Sequence, residues 1–142
     1  MIVVDASLAT KWLLTEDDSE AALAFLDARE QEIAAPDLLA IEVCRALVTA
    51  ANMGRIDKRA GRTLIAEWLK TVDQGSFRLY ALDTGLVGRG SDIALDLGHP
   101  LADCLYLALA INLGVDLVTC DARFVAKARV HHPNIRLLAD FS

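Results

Sequence analysis

The chain has 142 residues, with 20 acidic and 14 basic side chains and a formal charge of −6 at pH 7; this length suits one domain spanning residues 1–142. A folded chain of this mass keeps roughly 7,200 Å² of about 22,300 Å² accessible, so one core suffices without disulfide staples. With 54% hydrophobic residues and a mean hydropathy of +0.35, disorder is excluded, and the net charge argues against a protein that coats nucleic acid with its whole surface.

In chain order, Ile2-Val3-Val4 predicts a buried strand ending at Asp5, and Ser7 is placed as the N-cap of a helix reaching Leu14. Asp18 and Ser19 precede a second helix over Ala21–Leu26. Ile33-Ala34-Ala35 predicts a short strand, and Pro36-Asp37 opens a third helix that runs to about Met53, with Gly54 as its stop. A fourth helix starts at Asp57 and runs to about Gly75. Phe77–Leu82 alternates like a strand, and Thr84–Leu97 is assigned as helix despite three glycines. Gly98-His99-Pro100 breaks the chain before a buried helix over Leu101–Leu113, which Gly114 closes. Asp116–Thr119 reads as a strand, Phe124 and Val125 lie on a further helix, and a last strand falls near Ile135-Arg136-Leu137. This alternation predicts an α/β fold: a parallel sheet with helices on both faces.

Cys44, Cys104 and Cys120 are far apart and set in apolar stretches, which is the usage of a reducing compartment; no CxxC pair signals zinc. The amino terminus lacks the basic segment of a signal peptide, and the apolar run Cys104–Val115 is too short to span a bilayer. A cytoplasmic protein without a membrane is expected.

Four carboxylates are out of place. Asp5 and Asp121 directly follow strands, where open α/β sheets collect ligands; Glu42 lies within the apolar third helix, and Asp103 opens the most hydrophobic helix. Each has a purely local reading: Asp121 as a helix N-cap, Asp103 as a complement to the helix dipole, and Glu42 as a partner of Arg45 at i+3. If all four converge about 5 Å apart at an effective dielectric of about 20, the six pairs repel by on the order of 20 kcal/mol. Such a cluster takes up protons or cations, and all-oxygen ligands favour Mg²⁺ or Mn²⁺. The chemistry that follows is hydrolysis of a phosphodiester.

The segments Ile2-Val3-Val4-Asp5-Ala6-Ser7, Ala35–Val43 around Glu42, Leu101–Ala110 around Asp103 and Leu117–Phe124 around Asp121, in this order over nearly the whole chain, resemble a PIN-domain nuclease. More narrowly they resemble the VapC toxins of type II toxin–antitoxin systems. The resemblance implies a parallel five-stranded sheet, with Asp5, Glu42, Asp103 and Asp121 as catalytic acids around one or two Mg²⁺ or Mn²⁺ ions and Asp5 and Asp103 as metal ligands. It implies endoribonuclease activity on an RNA substrate, inhibition by a VapB-like antitoxin, and a homodimer. Ser7 and Thr119 stand where the family often has hydroxyls that support the acids. Arg45 departs from the small polar residue common there; its guanidinium either contacts RNA phosphate or ties up Glu42.

Lys11, Arg89, Arg123, Lys127 and Arg129 are candidates for a basic rim, with Arg123 nearest to Asp121 in the chain. Trp12 and Trp68 are assigned to packing and His131-His132 to a surface turn. Leu47, Val48, Leu64 and Trp68 on the third and fourth helices are candidates for a dimer surface. Two other functions compete: a catalytically inactive PIN-like module that binds RNA or protein, and an aspartate-based phosphatase or receiver-like domain. The second lacks its paired acid after strand one. Of the −6 charge, the four acids supply −4, which two divalent ions would offset.

Overall fold

Five short parallel strands form one sheet in the order β3-β2-β1-β4-β5, with β1 at Ile2–Val4, β2 at Ile33–Pro36, β3 at Arg78–Tyr80, β4 at Leu117–Thr119 and β5 at Ile135–Leu137. The computed structural model of the chain describes residues 1–28 and 31–141. Its accessible surface is 7713 Å², close to the value expected for a folded chain of this mass. Among the described residues, seven helices connect the strands: α1 (Ala6–Thr10), α2 (Ser19–Ala28), α3 (Leu38–Asn52), α4 (Lys58–Asp73), α5 (Thr84–Leu97), α6 (Leu101–Leu113) and α7 (Ala122–Ala128). A 3-10 turn follows β5 at Leu138–Phe141.

The strand order carries a functional consequence. From β1 the chain steps outward to β2 and β3, then crosses back to place β4 on the other side of β1 and β5 beyond it. Right-handed crossovers put α1–α4 on one face and α5–α7 on the other. The reversal falls between β1 and β4, whose registered pairs are Val3 with Leu117 and Val4 with Val118. Their carboxyl ends, Asp5 and Thr119-Cys120-Asp121, therefore line the switch-point crevice where α/β sheets bind ligands.

Both faces of the central strands are covered, so Val3, Val4, Leu117 and Val118 are wholly buried, which explains their unbroken apolar runs. Helix α6 packs across β1, β2 and β4, and Cys104 through Ala110 are all buried. Its hydrophobicity is that of a central core helix; no single helix in the described residues is long and apolar enough to cross a membrane.

Several boundaries differ from expectation. Asp5, not Ser7, is the N-cap of α1: its side chain accepts from the Leu8 N–H, and Ser7 sits inside the first turn. That helix ends at Thr10 and continues as turns to Leu14. Pro36 ends β2 rather than opening α3; it has no N–H to give the ladder, and at the last residue of the strand that loss interrupts no continuing pairing. Strand β3 is shorter than the alternation of Phe77–Leu82, since Phe77 is occupied in packing between Trp12 and Trp68. Both tryptophans pack as expected, with Trp68 donating to the Ala40 carbonyl and Trp12 to that of Ala22. Leu47 and Trp68 belong to this chain's own core, so of the proposed dimer residues only Val48 is exposed and Leu64 half-buried.

Helix α5 persists through its three glycines because one of them is required. A Cβ on Gly90 would lie 2.7 Å from Leu105 Cδ2 and 3.4 Å from Leu105 Cα, so glycine lets α5 approach α6 closely. Gly90→Val is expected to lower stability by about 2–3 kcal/mol in urea unfolding, and Gly90→Ala by less, because Ala restores about 1 kcal/mol of helix propensity. Unchanged stability in Gly90→Val would contradict this close approach.

Candidate active site

Asp5 is the buried anchor of the site, 3% exposed. Its Oδ1 accepts from Ser7 Oγ at 2.7 Å and from the Leu8 N–H at 3.2 Å, and its Oδ2 accepts from Thr119 Oγ1 at 2.5 Å. The two hydroxyls are themselves tied to the β4–α7 turn: Ser7 Oγ accepts from the Cys120 N–H and Thr119 Oγ1 from the Asp121 N–H, each at 3.1 Å. The ends of β1 and β4 are thus clamped through one carboxylate. Burial pushes the Asp5 carboxyl up from its ordinary 3.8 to about 6; the bonds from Thr119, Ser7 and Leu8 oppose this, and the charge of Asp103 adds to it.

The other acids reach this corner from separate elements. Asp121 caps α7, its Oδ1 accepting from the Phe124 N–H at 3.0 Å, so its capping role and its place in the site coexist. Asp103 stands in the first turn of α6, half-exposed, with Oδ2 2.7 Å from His99 Nε2. One ligand atom each from His99, Asp103 and Asp121 lies within 4.8 Å of the others. Glu42 projects from α3 with its side chain 14% exposed, and its Oε1 accepts from Tyr106 Oη at 2.9 Å. Burial, followed by Glu42 and then the charges of Asp5 and Asp103, pushes the Tyr106 phenol far above its ordinary value. It therefore stays protonated and donates. Tyr106 on α6 is the bond that holds α3's acid toward the other three.

Arg45 lies 3.7 Å from Glu42 Oε2 with its side chain 68% exposed. An ion pair this open to water is worth little, so it leaves Glu42 available. A cleft of 450 Å³ opens alongside, lined by Ser7, Lys11, Glu16, Glu42, Cys120 and Asp121 among others. Burial pushes the Cys120 thiol up to about 12, with Asp5, Asp18 and Glu16 adding to this and Lys11 opposing it. The thiol is thereby unsuited to nucleophilic work at neutral pH.

The expected basic rim is only partly assembled. Arg89 is bonded to Asn112 and Arg129 is paired with Asp140, while Arg123 is exposed in the first turn of α7 beside Asp121. Lys127, exposed on α7, reaches back over the α5–α6 connection, its Nζ 3.4 Å from His99 Nδ1 and 3.3 Å from the Gly98 carbonyl. His131 and His132 form the turn expected of them, both N–H groups donating to the Ala128 carbonyl. Sequence reading missed His99 and Tyr106. His99 carried one signal, its i,i+4 spacing to Asp103 across a helix-opening proline; Tyr106 carried another, a phenol in an apolar helix that needs a partner.

Carboxylates from the ends of β1 and β4 and from α3 and α6 face the switch point of a parallel sheet, which defines a class of α/β proteins with an acidic site there, an all-oxygen donor set of the kind that suits a hard cation. A buried carboxyl raised to about 6 by desolvation, next to two further acids, is the donor chemistry such a cation neutralises. The PIN domain family matches residues 2–130, and the chain belongs to that family. This excludes the phosphatase or receiver-like alternative. Ribonuclease VapC12 of Mycobacterium tuberculosis is 30% identical over 148 aligned positions, covering 98% of this chain and all of the relative. Among solved structures, Mycobacterium tuberculosis VapC20, described as a sarcin-ricin loop cleaving toxin, superposes with a TM-score of 0.68 at 15% identity, covering 89% of this chain and 94% of that one. A toxin–antitoxin complex from Klebsiella pneumoniae gives 0.62 at 14% identity, over 97% and 98%.

The raised pKa of Asp5 fixes the sign of a pH effect. In metal-free protein the protonated carboxyl is favoured by folding, a contribution fully present below pH 3.8 and lost as pH rises through about 6. The ionised group then costs about 3 kcal/mol at neutral pH. Asp5→Asn is expected to raise the urea midpoint of metal-free protein near pH 7.5 and to lose most of that gain near pH 4. A gain of equal size at both would contradict the assignment.

Proposed function

We propose that the chain is a divalent-metal-dependent endoribonuclease, the toxin of a VapBC-type toxin–antitoxin pair, with residues 1–142 acting as one nuclease domain. One observation carries this: Asp103 and Asp121 lie within a cation's reach of each other beside the buried Asp5, in a chain 30% identical over nearly its full length to a ribonuclease.

Asp5 and Asp103 would hold Mg²⁺ or Mn²⁺, and Ser7 and Thr119 fix the orientation of the Asp5 carboxylate. When bound, the cation supplies an activated water and stabilises charge on the scissile phosphate. Glu42, held by Tyr106, and Asp121 would accept hydrogen bonds from the attacking water, and one of the two carboxylates would take its proton. Arg45 and Arg123 meet phosphates of the RNA, and Lys11 on the cleft wall offers a third cation. The acidic cleft suits a basic segment of a VapB-like antitoxin. Ile41, Val48 and Leu69 are exposed on α3 and α4, which favours a homodimer through that face. All three cysteines are free, in keeping with a cytoplasmic location.

Cleavage of a structured RNA is expected with Mg²⁺ or Mn²⁺ and not in EDTA, with Asp5→Asn and Asp103→Asn each reducing the rate by about 100-fold or more. Cleavage that persists in EDTA, or that both variants retain, would sink the mechanism. Arg45→Ala is expected to weaken RNA binding roughly 3- to 10-fold and flatten its salt dependence while leaving Mn²⁺ affinity unchanged. Tighter Mn²⁺ binding in that variant would show instead that Arg45 restrains Glu42.

A further inference from the structure

We propose that His99 is a positioning residue for Asp103: an imidazole held flat by Phe124 and set as an Nε2–H donor by Lys127, which orients the carboxylate without itself binding the cation. The proposal rests on the reading of Asp103 as a metal ligand.

The local chain dictates where the ring lies. Gly98 ends α5 in the left-handed region at φ 59, and the His99 N–H closes that end on the Ala94 carbonyl. Pro100 then starts α6 with φ −55, so His99 stands one turn ahead of Asp103. The side chain is 7% exposed. Its ring lies flat on that of Phe124, with centroids 4.5 Å apart and planes 10° apart. Phe124 is also the residue whose N–H is held by Asp121. One residue of α7 therefore supports Asp103 through His99 and Asp121 through its own backbone.

Both ring nitrogens are committed. Nε2 is 2.7 Å from Asp103 Oδ2, and Lys127 Nζ is 3.4 Å from Nδ1. An ammonium only donates, so Nδ1 presents its lone pair and the neutral ring carries its proton on Nε2. That proton is donated to Asp103. The spacing of His99, Asp103 and Asp121 by itself also suits a cation shared among all three, but such ligation needs the Nε2 lone pair that this tautomer lacks. The two arrangements differ in metal preference. An imidazole ligand favours Mn²⁺ over Mg²⁺, whereas an N–H donor supports the carboxylate for either ion alike.

Two substitutions separate donation from packing. His99→Phe keeps a ring against Phe124 and loses the N–H; His99→Gln loses the ring and keeps an N–H donor. Mn²⁺ affinity by electron paramagnetic resonance, and Mg²⁺ affinity by competition, are measured on folded protein alongside Asp103→Asn. His99→Phe is expected to weaken both ions about 10-fold with their ratio unchanged, and His99→Gln to stay within about 3-fold of wild type. The reverse order, or a selective loss of Mn²⁺, would overturn the proposal. Long-range ¹H–¹⁵N spectra of the metal-free protein should show the proton on Nε2; a proton on Nδ1 would overturn it without reference to any metal. Unchanged cation binding in Asp103→Asn would refute the metal reading of Asp103 itself, and the proposal with it. Loss in Asp103→Asn with no loss in His99→Phe would refute the His99 proposal alone.

Discussion

A carboxylate buried at the end of a three-residue strand organises this molecule. Asp5 has almost no contact with water, and it is tolerated only because two hydroxyls and a helix N–H donate to it. Those hydroxyls come from both sides of the sheet reversal, Ser7 from α1 and Thr119 from β4. The same bonds that compensate the desolvated acid therefore bind β1 to β4 and set the floor of the crevice. Desolvation still exceeds those bonds, which leaves the carboxyl poised between protonation and capture of a cation.

Around that anchor, each acid is held by a group that also serves the fold. Asp121 caps α7, Glu42 takes the phenol that α6 must place somewhere inside the core, and Asp103 is tied to the ring that ends the α5–α6 connection. This economy explains why local readings of these acids were each partly true. An N-cap at Asp121 and an ion pair at Glu42 both exist, and neither removes its carboxylate from the site, since an ionised carboxylate accepts several bonds at once.

Much of the architecture was legible along the chain because it is periodic or punctuated. The buried β-branched run at Ile2-Val3-Val4, the left-handed glycines after α3 and α6, and the apolar continuity of α6 declare themselves within a few residues. Helix α5 was legible against its propensity, and the reason lay elsewhere: Gly90 answers to Leu105 on α6, a contact that no local window contains. Ser7 was misplaced as a cap because a serine near a helix start looks the same whether it closes the helix or donates to the acid that does.

The order of the four acids and of the segments around them is a property of the chain in one dimension, and it sufficed to name the family, because carboxylates in apolar surroundings, two of them directly after strands, have few other justifications. Which groups hold those acids was settled by tertiary packing alone. His99 reads as punctuation between two helices until α7 brings Phe124 under its ring and Lys127 to its far nitrogen. Arg89 and Arg129 read as rim residues until Asn112 and Asp140 engage them. Hydrogen-bond partners across dozens of residues depend on how layers stack, and that is information a linear pattern does not hold.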